Sequence, residues 1–296
     1  MGGYGRAAVV VPVHGIHRNR GHAMPGAQVP FSRYVALGDS QTEGVGDGDD
    51  VTGLRGWADR LAEHLARHNP GLRYANLAVR GRLAGQVHTG QLGPALALRP
   101  DLATVVAGVN DLLRPRFDAD DVAGHLEAMF AALTAQGTRV ATLTFPDVAR
   151  ITPLARPVRH RVTALNQRIR EAAHRHGVAV AETGHHAVVT DARLWSADRL
   201  HVGPLGHERI AAAVAQALAL PGSDDAWTRP LATPTPPRPV GLRAGAAELR
   251  WAADFLRPWI ARRLRGHSSG DDRTAKRPDL VPLELAPLHR DPAREA

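Results

Sequence analysis

The sequence predicts an α/β fold, a parallel sheet with helices on both faces. Between residues 34 and 220, short apolar runs alternate with longer segments whose apolar residues recur every three or four positions. That is the pattern of strands and amphipathic helices joined as β–α–β units. Three of the runs also lead into residues able to carry chemistry, namely Asp39 with Ser40, Asn76 with Gly81 beyond it, and Asn110 with Asp111. Open α/β sheets assemble their sites at this carboxyl edge.

Residues 1–30 lack periodicity and are rich in Gly, His and Arg, so a disordered leader is expected there, with Met24 as an alternative start. The apolar run at 7–13 contains Pro12 and leads into a His- and Arg-rich stretch without a small-residue cleavage site. It is not read as a signal peptide, and a cytoplasmic location is expected. A folded span covers residues 31–221, with strands expected at 34–37, 73–77, 102–107, 140–145 and 178–181. Between them, Trp57, Leu61 and Leu65 share one helical face, as do Val122, Leu126 and Phe130, and Val158, Val162, Leu165 and Ile169. A last helix starts near Pro204, which suits a first turn because its missing N–H is no loss, and runs to Leu220.

Residues 222–240 are read as a linker, stiffened by the prolines of TRPLATPTPPRP at 228–239. The tail, 241–296, carries one amphipathic helix over 246–264. There Leu249, Ala253, Leu256 and Ile260 lie opposite Arg257, Arg262 and Arg263, and Pro258 introduces a kink. A polar terminus follows.

Composition excludes several function classes. The 296 residues are 44% hydrophobic, enough for a buried core, but no run approaches the 18 or more apolar residues that span a bilayer. The net charge of +8 comes almost wholly from scattered Arg, Lys276 being the only Lys. With three Tyr, five Phe and five Trp there is no interleaved aromatic platform either, so nucleic acid is not expected as a partner. The absence of cysteine removes disulfides, thiolate metal sites and a cysteine nucleophile, without fixing the compartment. Catalysis must then come from oxygen and imidazole groups.

Ser40, just past the first strand, is placed either as a nucleophile or as a helix N-cap. The GxSxG elbow is absent because Thr42 stands at the second Gly position, which disfavours an ordinary α/β-hydrolase. Asn110 can aim a side-chain N–H at a developing oxyanion, or form an Asx-turn that stops the strand. At Gly81 the lack of a side chain lets the backbone N–H approach a bound acyl group. Asp198 and His201, three residues apart before the last helix, allow the carboxylate to hold one imidazole nitrogen while the other faces the serine. Asp39 and Asp111 are rival carboxylates, but Asp39 is tied by sequence to Ser40 and Asp111 is expected to orient Asn110. His207 is expected to support a loop. Asp47, Asp49 and Asp50 lack the distal Glu of a calcium loop and read as a solvated turn, so no metal site is expected.

Taken together, Gly38-Asp39-Ser40, Gly81 within NLAVRG, Gly108-Val109-Asn110-Asp111 and Asp198-Arg199-Leu200-His201 resemble the blocks of the GDSL, or SGNH, hydrolase family. The resemblance covers roughly residues 33–220 and leaves the tail outside. It implies a three-layer α/β/α sandwich around a five-stranded parallel sheet. It further implies an oxyanion hole made by the Ser40 N–H, the Gly81 N–H and the Asn110 side chain, and a serine esterase or acylhydrolase that needs no cofactor. Ser40, Asp198 and His201 would be its catalytic residues.

Lipases, lysophospholipases, arylesterases, thioesterases and carbohydrate deacetylases share such blocks, so the resemblance implies a reaction and not a substrate. Residues 44–56 and 149–156 are candidates to line an acyl pocket, with Trp57 as its floor or as core. A small or medium acyl ester is expected because no extended apolar lid is visible. Carbohydrate O-deacetylase and thioesterase activities are the alternatives within the fold. Of other classes, the basic tail helix would dock a membrane surface or a partner, or instead pack on the folded span, and a relic that only binds acylated ligands is a further alternative. A monomer is expected.

Overall fold

A computed structural model describes Met1 and residues 31–232, 241–265 and 268–283. The rest of the expected leader, at 2–30, and the proline-rich 233–240 lie outside the described residues.

The described chain runs through β1 (Arg33–Gly38), α1 (Ser40–Glu43), the short pair β2 (Gly48–Asp49) and β3 (Gly53–Leu54), α2 (Trp57–His68), β4 (Arg73–Asn76) and α3 (Ala84–Ala97). It continues through β5 (Leu102–Val106), α4 (Val109–Leu112), α5 (Ala119–Ala135), β6 (Arg139–Leu143), α6 (Arg159–Arg175), β7 (Ala179–Ala181) and α7 (Pro204–Ala217). The tail adds α8 (Gly241–Trp251), α9 (Arg257–Leu264) and β8 (Arg277–Pro282).

The main sheet has the order β7-β6-β5-β1-β4-β8. All five expected strands are present and mutually parallel. They are near-continuous apolar runs because helices cover both faces: α2 packs on α7, and α3, α5 and α6 pack in a row. The resulting fold is α/β, with a mostly parallel sheet flanked by helices.

Two features depart from the sequence reading. A sixth strand, β8, pairs antiparallel with β4, so the five-stranded sheet gains an edge from a terminus read as merely polar. Strand β8 is RPDLVP, and its prolines are tolerated because an edge strand needs only one ladder of hydrogen bonds. The tail helix begins at Gly241, five residues before its expected start, and the irregularity expected at Pro258 takes the form of a π-helical turn, Ala252–Leu256, just before it. Proline lacks an N–H and its ring crowds the carbonyl four residues back, so the helix widens there. In the region read as linker, Trp227 is buried and its Nε1 donates to Gln216 Oε1 of α7 (2.6 Å).

The core lies on both faces of the sheet, with Trp57, Tyr34, Tyr74 and Phe130 among its largest fully buried side chains. Tyr34 and Tyr74 stack at 5.0 Å between ring centroids, and each hydroxyl has a partner, Thr104 Oγ1 at 2.9 Å and Asp59 Oδ1 at 3.1 Å. Buried Gln91 of α3 bonds both the N–H and the carbonyl of Gly38, each at 2.9 Å. This clamp fixes the end of β1 two residues before Ser40.

Candidate active site

Parallel pairing brings the carboxyl ends of β4, β1 and β5 side by side, with Ala36 opposite Asn76 and Gly38 opposite Val106. The segments that follow these strands therefore converge at one edge of the sheet. Ser40 is the first residue of α1, whose cap is Asp39: its Oδ1 accepts from the Gln41 N–H at 3.3 Å. Relieved of capping, the Ser40 hydroxyl donates to His201 Nε2 at 2.9 Å.

The opposite ring nitrogen, His201 Nδ1, donates to Asp198 Oδ2 at 2.6 Å, which fixes the tautomer. Asp198 Oδ1 accepts from the Leu200 and His201 N–H groups at 2.9 and 3.0 Å and from the Ser196 hydroxyl at 2.6 Å. Burial pushes the Asp198 pKa up, but the imidazole and these donors outweigh it and hold the carboxyl below its ordinary range.

Two positioning interactions were not foreseen from sequence. The side chain of Gln41 reaches across the site, donating to the Leu200 carbonyl at 3.0 Å and accepting from the Val202 N–H at 3.4 Å. It grips the chain on either side of His201. Glu43 of α1 holds Arg80, accepting from its backbone N–H at 2.6 Å and its Nη2 at 2.7 Å, which ties the loop containing Gly81 to the serine helix. Both are polar side chains whose partners lie tens of residues away, so no local pattern marks them.

Three residues that carry N–H donors, Ser40, Gly81 and Asn110, line one cavity. The Ser40 N–H opens α1, where the first N–H groups have no intrahelical acceptor. Gly81 has φ +77, a left-handed conformation that favours glycine, and among the described residues no acceptor takes its N–H. Asn110 Nδ2 donates to Asp39 Oδ2 at 3.2 Å and to the Arg82 carbonyl at 3.1 Å, so it forms a bridge between two loops and not an Asx-turn.

Asp111 does not orient Asn110 as expected. The two are consecutive residues of α4, whose side chains diverge by about 100°, and Asp111 Oδ2 instead accepts from the Ala84 N–H at 3.0 Å. Asp39 takes the orienting place. It is only 2% exposed, and burial pushes its pKa up to about 7 against the smaller opposing pull of the Gln41 N–H.

A cavity of about 350 Å³ opens on Ser40, Gly81, Asn110 and His201, with Leu113, Leu143, Phe145 and Trp195 among its apolar walls. Thr152 and Ala155 line it, as expected of residues 149–156, whereas no residue of 44–56 does. That first segment is held elsewhere: Asp47 pairs with Arg60, and Asp50 with Arg80 (2.8 Å) and Arg273 (2.7 Å). Asp49 Oδ1 accepts from the Val51 and Thr52 N–H groups at 2.8 and 2.7 Å, closing the β2–β3 turn. Trp57 lines the cavity and is also fully buried core. His207 accepts from the Trp57 N–H at Nδ1 (3.1 Å) and donates from Nε2 to the Val45 carbonyl (3.2 Å), fastening the 44–57 loop to α7. Among the described residues no group of three or more His, Asp or Glu is placed to hold a metal ion, and no helix is long and apolar enough to cross a membrane.

The arrangement can do acyl-transfer chemistry: a hydroxyl on an imidazole, a carboxylate behind the imidazole, and residues with N–H donors lining the same cavity. A family model described as the GDSL-like Lipase/Acylhydrolase family matches residues 36–209. None of the curated proteins matches. Among solved structures, an alpha/beta hydrolase enzyme from the metagenome of Lake Arreo, Spain, is similar at 23% identity and TM-score 0.53, over 64% of this chain and 95% of that one. An acetylxylan esterase from Geobacillus stearothermophilus is similar at 18% identity and TM-score 0.54, over 67% and 96%. TesA is similar at 22% identity and TM-score 0.53, over 63% and 98%.

Proposed function

Since the chain belongs to the GDSL-like lipase/acylhydrolase family, whose members hydrolyse ester bonds, we propose that it is a serine esterase with Ser40 as nucleophile, His201 as base and Asp198 as the group that orients His201. The observation that carries this reading is the unbroken chain of hydrogen bonds from Asp198 Oδ2 through His201 to Ser40 Oγ, 2.6 and 2.9 Å long. His201 Nε2 takes the hydroxyl proton as Ser40 Oγ attacks the ester carbonyl, and Asp198 stabilises the imidazolium that forms. The same proton then passes to the leaving alkoxide. An acyl-enzyme remains, and water deprotonated by His201 releases the acid.

The Ser40 and Gly81 N–H groups and Asn110 Nδ2 stabilise the oxyanion of each tetrahedral intermediate. On Asn110 the oxyanion displaces the Arg82 carbonyl, exchanging a neutral acceptor for a charged and stronger one. The apolar walls of the cavity favour a carboxylic ester of small or medium acyl length over a carbohydrate ester, although one similar structure is an acetylxylan esterase.

The test is turnover of p-nitrophenyl esters of graded chain length. Wild type is expected to hydrolyse at least one of them, with Ser40→Ala and His201→Ala each reducing kcat by about 10³-fold or more. If wild type is no faster than Ser40→Ala on any acyl or acetyl-sugar ester, the proposal fails.

A further inference from the structure

The family match ends at residue 209 and says nothing of the tail, yet the described tail touches the site from two sides. On one side, the helix passes over the loop that carries Asp198 and His201. Trp251 Nε1 donates to the Asp198 carbonyl at 3.2 Å, Glu248 Oε1 accepts from Arg199 Nη1 at 2.6 Å, and the Arg199 guanidinium lies 5.0 Å from the Trp251 ring centroid. Arg199 itself has φ +56, a conformation that costs a non-glycine residue about 1 kcal/mol or more and persists only where neighbours hold it. Its N–H is held within the loop by the Ser196 carbonyl at 3.0 Å, and its side chain by the tail residues Glu248 and Trp251.

On the other side, the Ser268 hydroxyl donates to the Gly81 carbonyl at 3.2 Å. Gly270 lies so close to the Arg80 carbonyl that a Cβ there would collide with it. Beyond this contact the tail is anchored by Arg273 to Asp50 (2.7 Å), by Lys276 to Asp59 (2.6 Å) and by the pairing of β8 with β4. Between the two attachments, Trp251, Phe255 and Leu256 line the same cavity as Ser40 and His201, together with Phe145 and Trp195. Phe255 is 38% exposed, a large apolar side chain that is only partly covered.

We propose that the tail is the outer wall of the substrate pocket and that Phe255 and Leu256 determine specificity, selecting esters whose acyl chain is apolar and longer than acetyl. The inference rests on the reading of Ser40 as the esterase nucleophile. An acyl chain leaving the Ser40 oxygen would replace water against the Phe255 ring and the Leu256 side chain, so each added methylene gains transfer free energy that acetate cannot. The tail thereby supplies an apolar cover that the sequence did not display as one continuous run.

The test compares kcat/KM for p-nitrophenyl acetate, butyrate, hexanoate and octanoate in the full-length protein. Variants are Phe255→Ser, Phe255→Leu, Leu256→Ser and the Ser40→Ala control, each checked by thermal melting. Wild type is expected to prefer hexanoate to acetate by ~10-fold or more, and each Ser variant to reduce that ratio by ~10-fold, mainly through KM. Phe255→Leu, which keeps an apolar contact, should hold the ratio within ~3-fold of wild type. If the Ser variants lower all four esters by one common factor, or leave the ratio at its wild-type value, the tail is structural and the inference is overturned. If wild type matches Ser40→Ala on every ester, the esterase reading itself fails, a different result from a flat chain-length profile.

Discussion

At the scale of single residues, the proposed base is held from both sides. Gln41 bonds the Leu200 carbonyl and the Val202 N–H that flank His201, so Gln41→Ala should lower kcat by ~10-fold with little change in KM, by misplacing the imidazole. Steady-state kinetics on the best p-nitrophenyl ester checks this. Ser40, Asn110, Asp198 and His201 stand at strand ends or just before a helix, and few side-chain types can do the chemistry proposed for them, so position and type together pointed to them as candidates. Gln41 acts through a partner 159 residues away, which nothing local marks, and Asp39, though tied by sequence to Ser40, gave no sign that it bonds Asn110, 71 residues away. Asp39 supplies a pH dependence of known sign. Its pKa in the folded chain, pushed up to about 7 by burial, exceeds that of an exposed aspartate, so the folded state binds the extra proton. Its contribution to stability is full below about pH 4 and is lost as pH rises to about 7, by up to ~4 kcal/mol. Asp39→Asn keeps an acceptor and a good cap. It should therefore melt higher than wild type at pH 8 and close to it at pH 4, as differential scanning calorimetry would show.

At the scale of elements, the five parallel strands were legible because both their faces are buried, which makes each an unbroken apolar run. Two elements were not. Helix α3 contains Gly85, Gly90, Gly93 and Pro94, residues that weaken a helix in isolation, and its inward face is set partly by Gln91, a polar side chain used as a clamp. Strand β8 carries two prolines and a charge pattern that reads as loop, and it is a strand only because β4 offers an edge to pair with. The Gln91 clamp is open to a direct test. Gln91→Leu strips the buried Gly38 N–H of its partner while the Gly38 carbonyl keeps the Val79 N–H (3.3 Å), so it should cost ~1–3 kcal/mol, read as a fall in the denaturant midpoint at unchanged slope.

At the scale of the whole molecule, residues 36–209 account for the family resemblance and for all three groups of the proposed triad, while the tail closes over them and joins the sheet as its sixth strand. Acid resistance also belongs to this scale. His207 fastens the 44–57 loop to α7, and burial lowers its pKa to about 4. The unfolded chain, whose histidine titrates near 6.5, therefore takes up a proton first as pH falls. Stability should decline between about pH 6.5 and pH 4 by ~3 kcal/mol, then level off, and His207→Gln should flatten this limb of the urea-denaturation profile. The central claim, that Ser40 is a nucleophile activated by His201, is tested most directly by reaction with a fluorophosphonate followed by intact-mass and peptide mass spectrometry. The expected result is one phosphonyl adduct per chain, on the peptide containing Ser40, formed ~10³-fold more slowly in His201→Ala and absent in Ser40→Ala. An unlabelled wild-type chain, or an adduct that persists in Ser40→Ala, would contradict it.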